Sequence, residues 1–354
     1  MASEAAMNQR GPVAGVDRGP FAVFVITGVP LLIVASTALQ WWAVALLGVG
    51  GIAVMTVRVR GKTGPQRLGQ WCRYRVGRRV RARGLCGPTA IEDVEVPAGV
   101  CGIVKDASTL VAMIQLAPDL DLPTIIGEHS LYTEDTVPIE ALLPLLEQYG
   151  LTFDLDIVTT GRRARAEGDY GVLYNQLIGS QPVVGERRTW LVLRLDQESN
   201  LAALRRRGPC EESGPRALAG AAHRVAGRLR EHGVTARVLP ATALGEASDS
   251  LHAGVELPAL REQWSRLSTA VPGRFVTTYA IDWPHLVPEG LDDCWRWHNG
   301  RTTVVIALSA TRSRARGLVR FVGPAVEQEL PRYLRPHPGR PVSAQRAGLP
   351  TRPS

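Results

Sequence analysis

Two Asp-Leu-Asp triplets, Asp119–Asp121 and Asp154–Asp156, combine residue type and spacing in a way that could do chemistry. Carboxylates two apart on an extended segment point the same way and can share a divalent ion, as in metal-dependent sugar-nucleotide transferases. The alternation Leu151-Thr-Phe153-Asp-Leu155-Asp-Ile157 equally fits a half-buried strand with both aspartates on its solvent face. The surface reading is preferred, and the transferase reading is kept as the alternative. Other signatures fail on context. Gly61-Lys62-Thr63 ends like a phosphate-binding loop, but Thr56 stands where its first glycine is required, and such a loop needs a strand before it and a helix after it. Gly48-Val-Gly50-Gly51 lies inside an uncharged apolar run, where glycines serve close helix packing. No G-x-S-x-G elbow occurs. Trp295-Arg-Trp297-His298-Asn-Gly300 reads as a packed aromatic turn. The five cysteines include no C-x-x-C pair and the seven histidines no H-E-x-x-H, so a reducing compartment without a structural metal is expected. No catalytic residue, cofactor or small-molecule substrate is assigned.

The elements around these residues begin with a membrane signal. Gly19 to Val57 is 39 residues without a charge, about twice what one helical crossing needs. Thr37, Gln40, Trp41 and Trp42 make a polar and aromatic break of the kind found at membrane interfaces. The spacing predicts a transmembrane helical hairpin over 19–57, with spans at 21–39 and 42–57 and a kink at Pro30. A cleaved signal peptide would want a basic start and a shorter apolar core.

Positive charge is concentrated just after this run. The chain of 354 residues has a formal charge of +8, and 58–83 alone carries ten basic residues and no acidic one. Arg58, Arg60, Lys62, Arg73, Arg75, Arg78 and Arg79 therefore set this end in the cytoplasm, with the N-terminal tail 1–18 on the same side. Leu68, Cys72, Val76 and Val80 recur every four residues near Trp71, so 58–86 reads as an amphipathic helix at the anionic leaflet. A plain topogenic stretch is the alternative. Charge confined beside the membrane argues against a nucleic-acid partner.

From Glu92 onward β-rich runs are expected at Val100–Lys105, Thr109–Leu116, Leu151–Thr159, Thr189–Leu195, Val234–Leu239, Arg274–Ile281 and Thr303–Leu308. Helical patterns are expected at Pro138–Tyr149, Asp169–Ile178, Gly214–His232 and Pro258–Leu267, and loops at Ala166–Asp169, Arg205–Gly214 and Ala247–Gly254. This alternation predicts a membrane-anchored α/β protein with a cytoplasmic α/β domain over 92–325, its sheet covered by helices. The Pro/Arg-rich tail 331–354 is expected to be disordered.

Several phrases taken together resemble a known family. Tyr174-Asn-Gln176-Leu-Ile178-Gly179 is followed by Arg187-Arg188-Thr189-Trp190-Leu-Val-Leu193-Arg194, then by Arg261-Glu262-Gln-Trp264-Ser265 and Thr277-Thr278-Tyr279-Ala280. In this order, behind a two-helix anchor and an arginine collar, the chain resembles EccE, the E component of the actinobacterial type VII (ESX) secretion core. The likeness is densest over 170–282. It implies a multi-pass inner-membrane subunit joined to the B, C (ATPase) and D components, exporting small helical Trp-x-Gly-type proteins, with no catalytic residues. The family pattern continues with further α/β sequence where this chain, after about Val322, turns to proline and arginine, so contacts of that portion are not carried over.

Overall fold

The computed structural model describes residues 90–106, 108–117, 124–126, 131–133, 136–163, 173, 176–177, 179, 181, 183–255, 259–296, 300–312, 314–325, 330–337 and 341. The expected hairpin with Trp41 and Trp42 lies outside them, as does the basic segment with Arg58, Arg60, Lys62, Trp71, Arg73, Arg75, Arg78 and Arg79. Among the described residues no helix is long and apolar enough to cross a membrane.

Sixteen strands and five α-helices are described. The strands are β1 (Ile91–Val96), β2 (Gly99–Asp106), β3 (Thr109–Leu116), β4 (Thr124–Ile126), β5 (Leu131–Thr133), β6 (Glu147–Gln148), β7 (Leu151–Thr152), β8 (Asp154–Arg163), β9 (Val184–Asp196), β10 (Ala236–Val238), β11 (Arg261–Glu262), β12 (Leu267–Ser268), β13 (Phe275–Ile281), β14 (Arg301–Ser309), β15 (Arg316–Gly323) and β16 (Leu334–Pro336). The helices are α1 (Ile139–Leu142), α2 (Leu201–Arg205), α3 (Cys210–Glu231), α4 (Ala241–His252) and α5 (Pro288–Asp292). Twelve strands form one sheet in the order β1-β2-β3-β9-β8-β14-β15-β13-β12-β11, with β10 beside β3 and β16 beside β13. Every pairing among the described residues is antiparallel.

The central strands are apolar on both sides because both faces are covered. On one face Leu110, Ala112, Ile114, Leu191, Leu193 and Leu155 pack under Leu218, Ala222, Val225 and Leu229 of α3. On the other, Val104, Val111, Met113, Val158, Trp190, Val192 and Val305 pack under Leu244, Ala247 and Leu251 of α4. Burying one such leucine contributes about 1.5–3 kcal/mol, so two layers anchored on β3 and β9 hold this half of the sheet. The other half has its own clusters. One gathers Leu260, Leu267, Val276 and Val322; the other gathers Ile281, Cys294, Trp295, Val319, Phe321 and Leu334.

Helix α3 forms where expected but begins four residues before Gly214, so 210–214 is helix rather than loop. Glu211 and Glu212 lie in its first turn and Arg228 and Arg230 in its last, each sign opposing the helix dipole. Gly233, at φ +80, follows its C-cap.

Four further expectations are corrected. Residues 247–252 belong to α4 rather than to a loop. Its small and polar composition hides it, and Asp93 stabilises its start from across the fold by accepting a hydrogen bond from the Ala241 amide at 2.7 Å. The helix expected over Pro258–Leu267 is instead the hairpin β11–β12, where the Gln263 amide donates to the Arg266 carbonyl at 2.9 Å. Leu260 and Leu267 mimic a helical face because both enter the same small cluster. The helix expected over Pro138–Tyr149 stops at Leu142. A 3₁₀ turn, Leu143–Leu146, follows with Pro144 in its first turn, and then β6, because proline lacks the amide that would continue the ladder. The disorder expected from Pro331 does not hold at Leu334–Pro336, which pairs with Tyr279–Ile281 of β13.

Candidate functional site

The chemistry of this domain is set by arginines on its sheet. Arg194 of β9 lies opposite Asp154 but reaches diagonally to Asp156, donating from Nε at 3.0 Å and Nη2 at 2.8 Å to one carboxylate oxygen. Both side chains are 2% exposed. The expectation that both aspartates of this triplet face solvent is therefore overturned at Asp156: that face of the sheet is covered by α4, and the carboxylate is buried in an ion pair with Arg194. With Asp156 held by Arg194 and Asp154 only half-buried, this triplet does not present two free carboxylates to an ion. Asp119 and Asp121 lie outside the described residues. Among the described residues no group of three or more His, Cys, Asp or Glu side chains could hold a metal ion.

A second buried arginine lies three strands from Arg194. Arg320 of β15 donates from Nη2 to the Leu251 carbonyl and to Thr303 Oγ1, while its Nε and Nη1 find no partner. Thr303 shares a hydrogen bond with Thr160, which donates on to the Thr302 carbonyl at 3.1 Å. Burial first, and the nearby Arg301 second, pull the Arg320 pKa down to about 10. His252, whose Nδ1 is also buried without a partner, is pulled down to about 4, chiefly by burial and then by Arg320.

Two grooves of about 430 Å³ each open on the surface. The first runs from the β6–β7 hairpin to the start of α3. Tyr149 (φ +52) and Gly150 (φ +73) form the hairpin tip, both with the positive φ that a type I′ turn requires. Tyr149 is 77% exposed, with the Arg224 guanidinium 5.3 Å from its ring centre and its carbonyl accepting from Arg207 at 2.7 Å. The second groove lies at the end of the sheet, lined by Arg162, Pro272, Gly273, Arg274, Gly300, Arg301, Val322, Gly323 and Pro324. Arg162 and Arg301 are register partners on β8 and β14. Burial and then Arg162 hold the Arg301 pKa below its usual value, and Arg188 and Arg274 act in the same direction. Among the described residues one carboxylate, Glu186, serves this group, 3.4 Å from Arg301 and 3.9 Å from Arg162.

The residues of the family phrases do not converge on one point. Arg187 and Arg188 are exposed on β9. Thr189 shares a cross-strand hydroxyl bond of 3.1 Å with Thr159, and Trp190 is buried beneath α4. Tyr279 lies on β13, four strand spacings from β9, or about 19 Å at about 4.8 Å each. It packs on Phe321, and burial raises its pKa. Trp264 occupies the β11–β12 turn, half-buried. Gln176 and Gly179 are exposed, Gly179 at φ +53, and Tyr174 lies outside the described residues. Sequence reasoning missed Arg320 and the groove arginines Arg162, Arg274 and Arg301. The run Leu318-Val-Arg320-Phe-Val322 holds the only signal for the first, an arginine amid apolar neighbours.

Comparison with known proteins supports the likeness read from these phrases. Residues 183–281, from the start of β9 to the end of β13, match the family described as "Putative type VII ESX secretion system translocon, EccE". The chain is 30% identical over 271 residues to the ESX-1 secretion system protein EccE1 of Mycobacterium tuberculosis (strain H37Rv), covering 75% of this chain and 55% of that protein. It is 31% identical over 197 residues to ESX-2 secretion system protein EccE2 of Mycobacterium tuberculosis (strain CDC 1551), covering 54% and 35%. With ESX-5 secretion system protein EccE5 of strain H37Rv it is 26% identical over 333 residues, covering 88% and 80%. The chain spans about half the length of the ESX-1 relatives it matches.

Proposed function

We propose, from its likeness to EccE, that this chain is a structural, non-catalytic subunit of a type VII (ESX) protein secretion complex. In this reading two N-terminal helices, 21–39 and 42–57, anchor it in the plasma membrane with its α/β domain in the cytoplasm. It assembles there with the B, C (ATPase) and D components to export small helical Trp-x-Gly-type proteins. The collar arginines and Trp41, Trp42 and Trp71 hold it at the bilayer surface, and the residues of the family phrases have structural rather than catalytic roles. The observation carrying the reading is the match over 183–281, a stretch in which Arg194 is buried in a structural ion pair with Asp156.

The transferase alternative needs free carboxylate pairs, and Asp156 is held by Arg194. The two readings part in a strain lacking the chain. A variant with Asp119, Asp121 and Asp154 changed to Asn restores export to the wild-type level if the chain is structural. Loss of export while the variant still assembles in the membrane would favour the enzyme. Asp156 is left intact because its removal strands a buried guanidinium.

A further inference from the structure

The sheet-end groove gathers more guanidinium groups than carboxylates among the described residues. Arg162 is 61% exposed and Arg301 16%; Arg274 is half-buried beside them and Arg188 is exposed alongside. Among the described residues one carboxylate, that of Glu186, itself 62% exposed, pairs with Arg162 and Arg301, while Arg274 donates to the Ala253 carbonyl at 2.6 Å. Arg162 on β8 and Arg274, just before β13, are separated at the backbone by three strand spacings, or about 14 Å. That span matches about four residues of extended chain at roughly 3.3 Å each. Pro272, Gly273, Gly300, Gly323 and Pro324 wall the groove, leaving backbone and guanidinium groups as its donors. Arg301 is held half-buried among like charges and loses much of its hydration without gaining a full counter-charge, a cost that an arriving carboxylate would relieve.

We propose that this groove docks an acidic, extended segment of a partner subunit, an inference that rests on the subunit reading above. Carboxylates of the segment meet Arg162, Arg301 and Arg274, and Arg188 of the family phrase stands outside the lining but acts on Arg301 electrostatically. Concavity favours such a segment over a lipid surface, which is flat at this scale.

The test uses the full chain in non-ionic detergent and fluorescein-labelled octaglutamate as the probe, read by fluorescence anisotropy. Binding should weaken steeply with salt and fall about tenfold or more in Arg162→Ser/Arg188→Ser. An equal loss of charge elsewhere, in Arg228→Ser/Arg312→Ser, should change it less than about twofold. All four positions are exposed, and matching thermal unfolding of the two variants checks that both fold. Equal losses in the two variants would overturn the proposal, as would full displacement of the peptide by millimolar inorganic phosphate. Recruitment to phosphatidylglycerol vesicles through the same two arginines, without peptide binding, would also overturn it. Co-purification with secretion subunits is scored separately on the wild-type chain. Peptide binding without co-purification sinks the subunit reading, and co-purification without peptide binding sinks the groove.

Discussion

The Asp156–Arg194 pair shows how much a single buried residue decides. Removing one partner leaves the other charge without compensation in the interior, which costs about 3–5 kcal/mol, whereas an apolar replacement of both is often neutral. Asp156→Ala should therefore destabilise the full chain by about that amount in chemical denaturation, and Asp156→Leu/Arg194→Met by distinctly less. A double variant as unstable as the single would contradict a buried pair. His252 gives a pH dependence of fixed sign. Its folded pKa, about 4, lies below the usual value of 6.5, so between these values the unfolded chain binds a proton that the folded one excludes. Stability from this residue is present above about pH 6.5 and falls as pH drops toward 4, by up to about 3 kcal/mol. In His252→Gln that slope should flatten between pH 7 and 4, and an unchanged slope would count against it. Burial also pushes the Cys101 and Cys294 thiols up to about 12, so both should resist iodoacetamide at pH 8 until the chain is unfolded.

At the level of elements, the long apolar strands were legible and the pieces that complete them were not. Strands β2, β3, β9, β13 and β14 stand close to their expected positions because each carries an apolar run independent of its neighbours. Helix α3 was legible for the same reason, through Leu218, Ala222, Val225 and Leu229 on one face. By contrast, α4 depends on a distant partner. Its first amide is capped by Asp93, and Gly102 of β2 lets its N-terminal turn sit against the sheet. A Cβ on Gly102 would stand 2.5 Å from the Ala241 amide nitrogen, whereas one on Gly317 would meet mainly the Leu286 side chain. Gly102→Ala should therefore cost more than Gly317→Ala in a thermal melt, by about 1–3 kcal/mol, since backbone cannot step aside as a leucine tip can. Equal losses would mean that α4 is loosely docked. The groove was equally illegible, because Arg162, Arg274 and Arg301 meet only through the register of β8, β14, β15 and β13. Arg194 could be singled out in its phrase, but its partner could not.

At the largest scale, the described residues form an antiparallel sheet covered on both faces of its central strands, with two buried arginines and a basic groove at its end. Topology belongs to this scale. If both termini are cytoplasmic, as proposed, cysteines introduced at residue 8 and in the tail should resist a membrane-impermeant thiol reagent in intact cells. Labelling at residue 8 alone would mean a single span. The central claim, that the chain is a structural subunit of a secretion complex, is tested most directly by its mass in native detergent. The tagged chain, extracted mildly from cells with an intact secretion locus, should run on a native gel as a large assembly whose bands contain the ATPase component by mass spectrometry. Migration as a lone monomer with no co-purifying ATPase would contradict it.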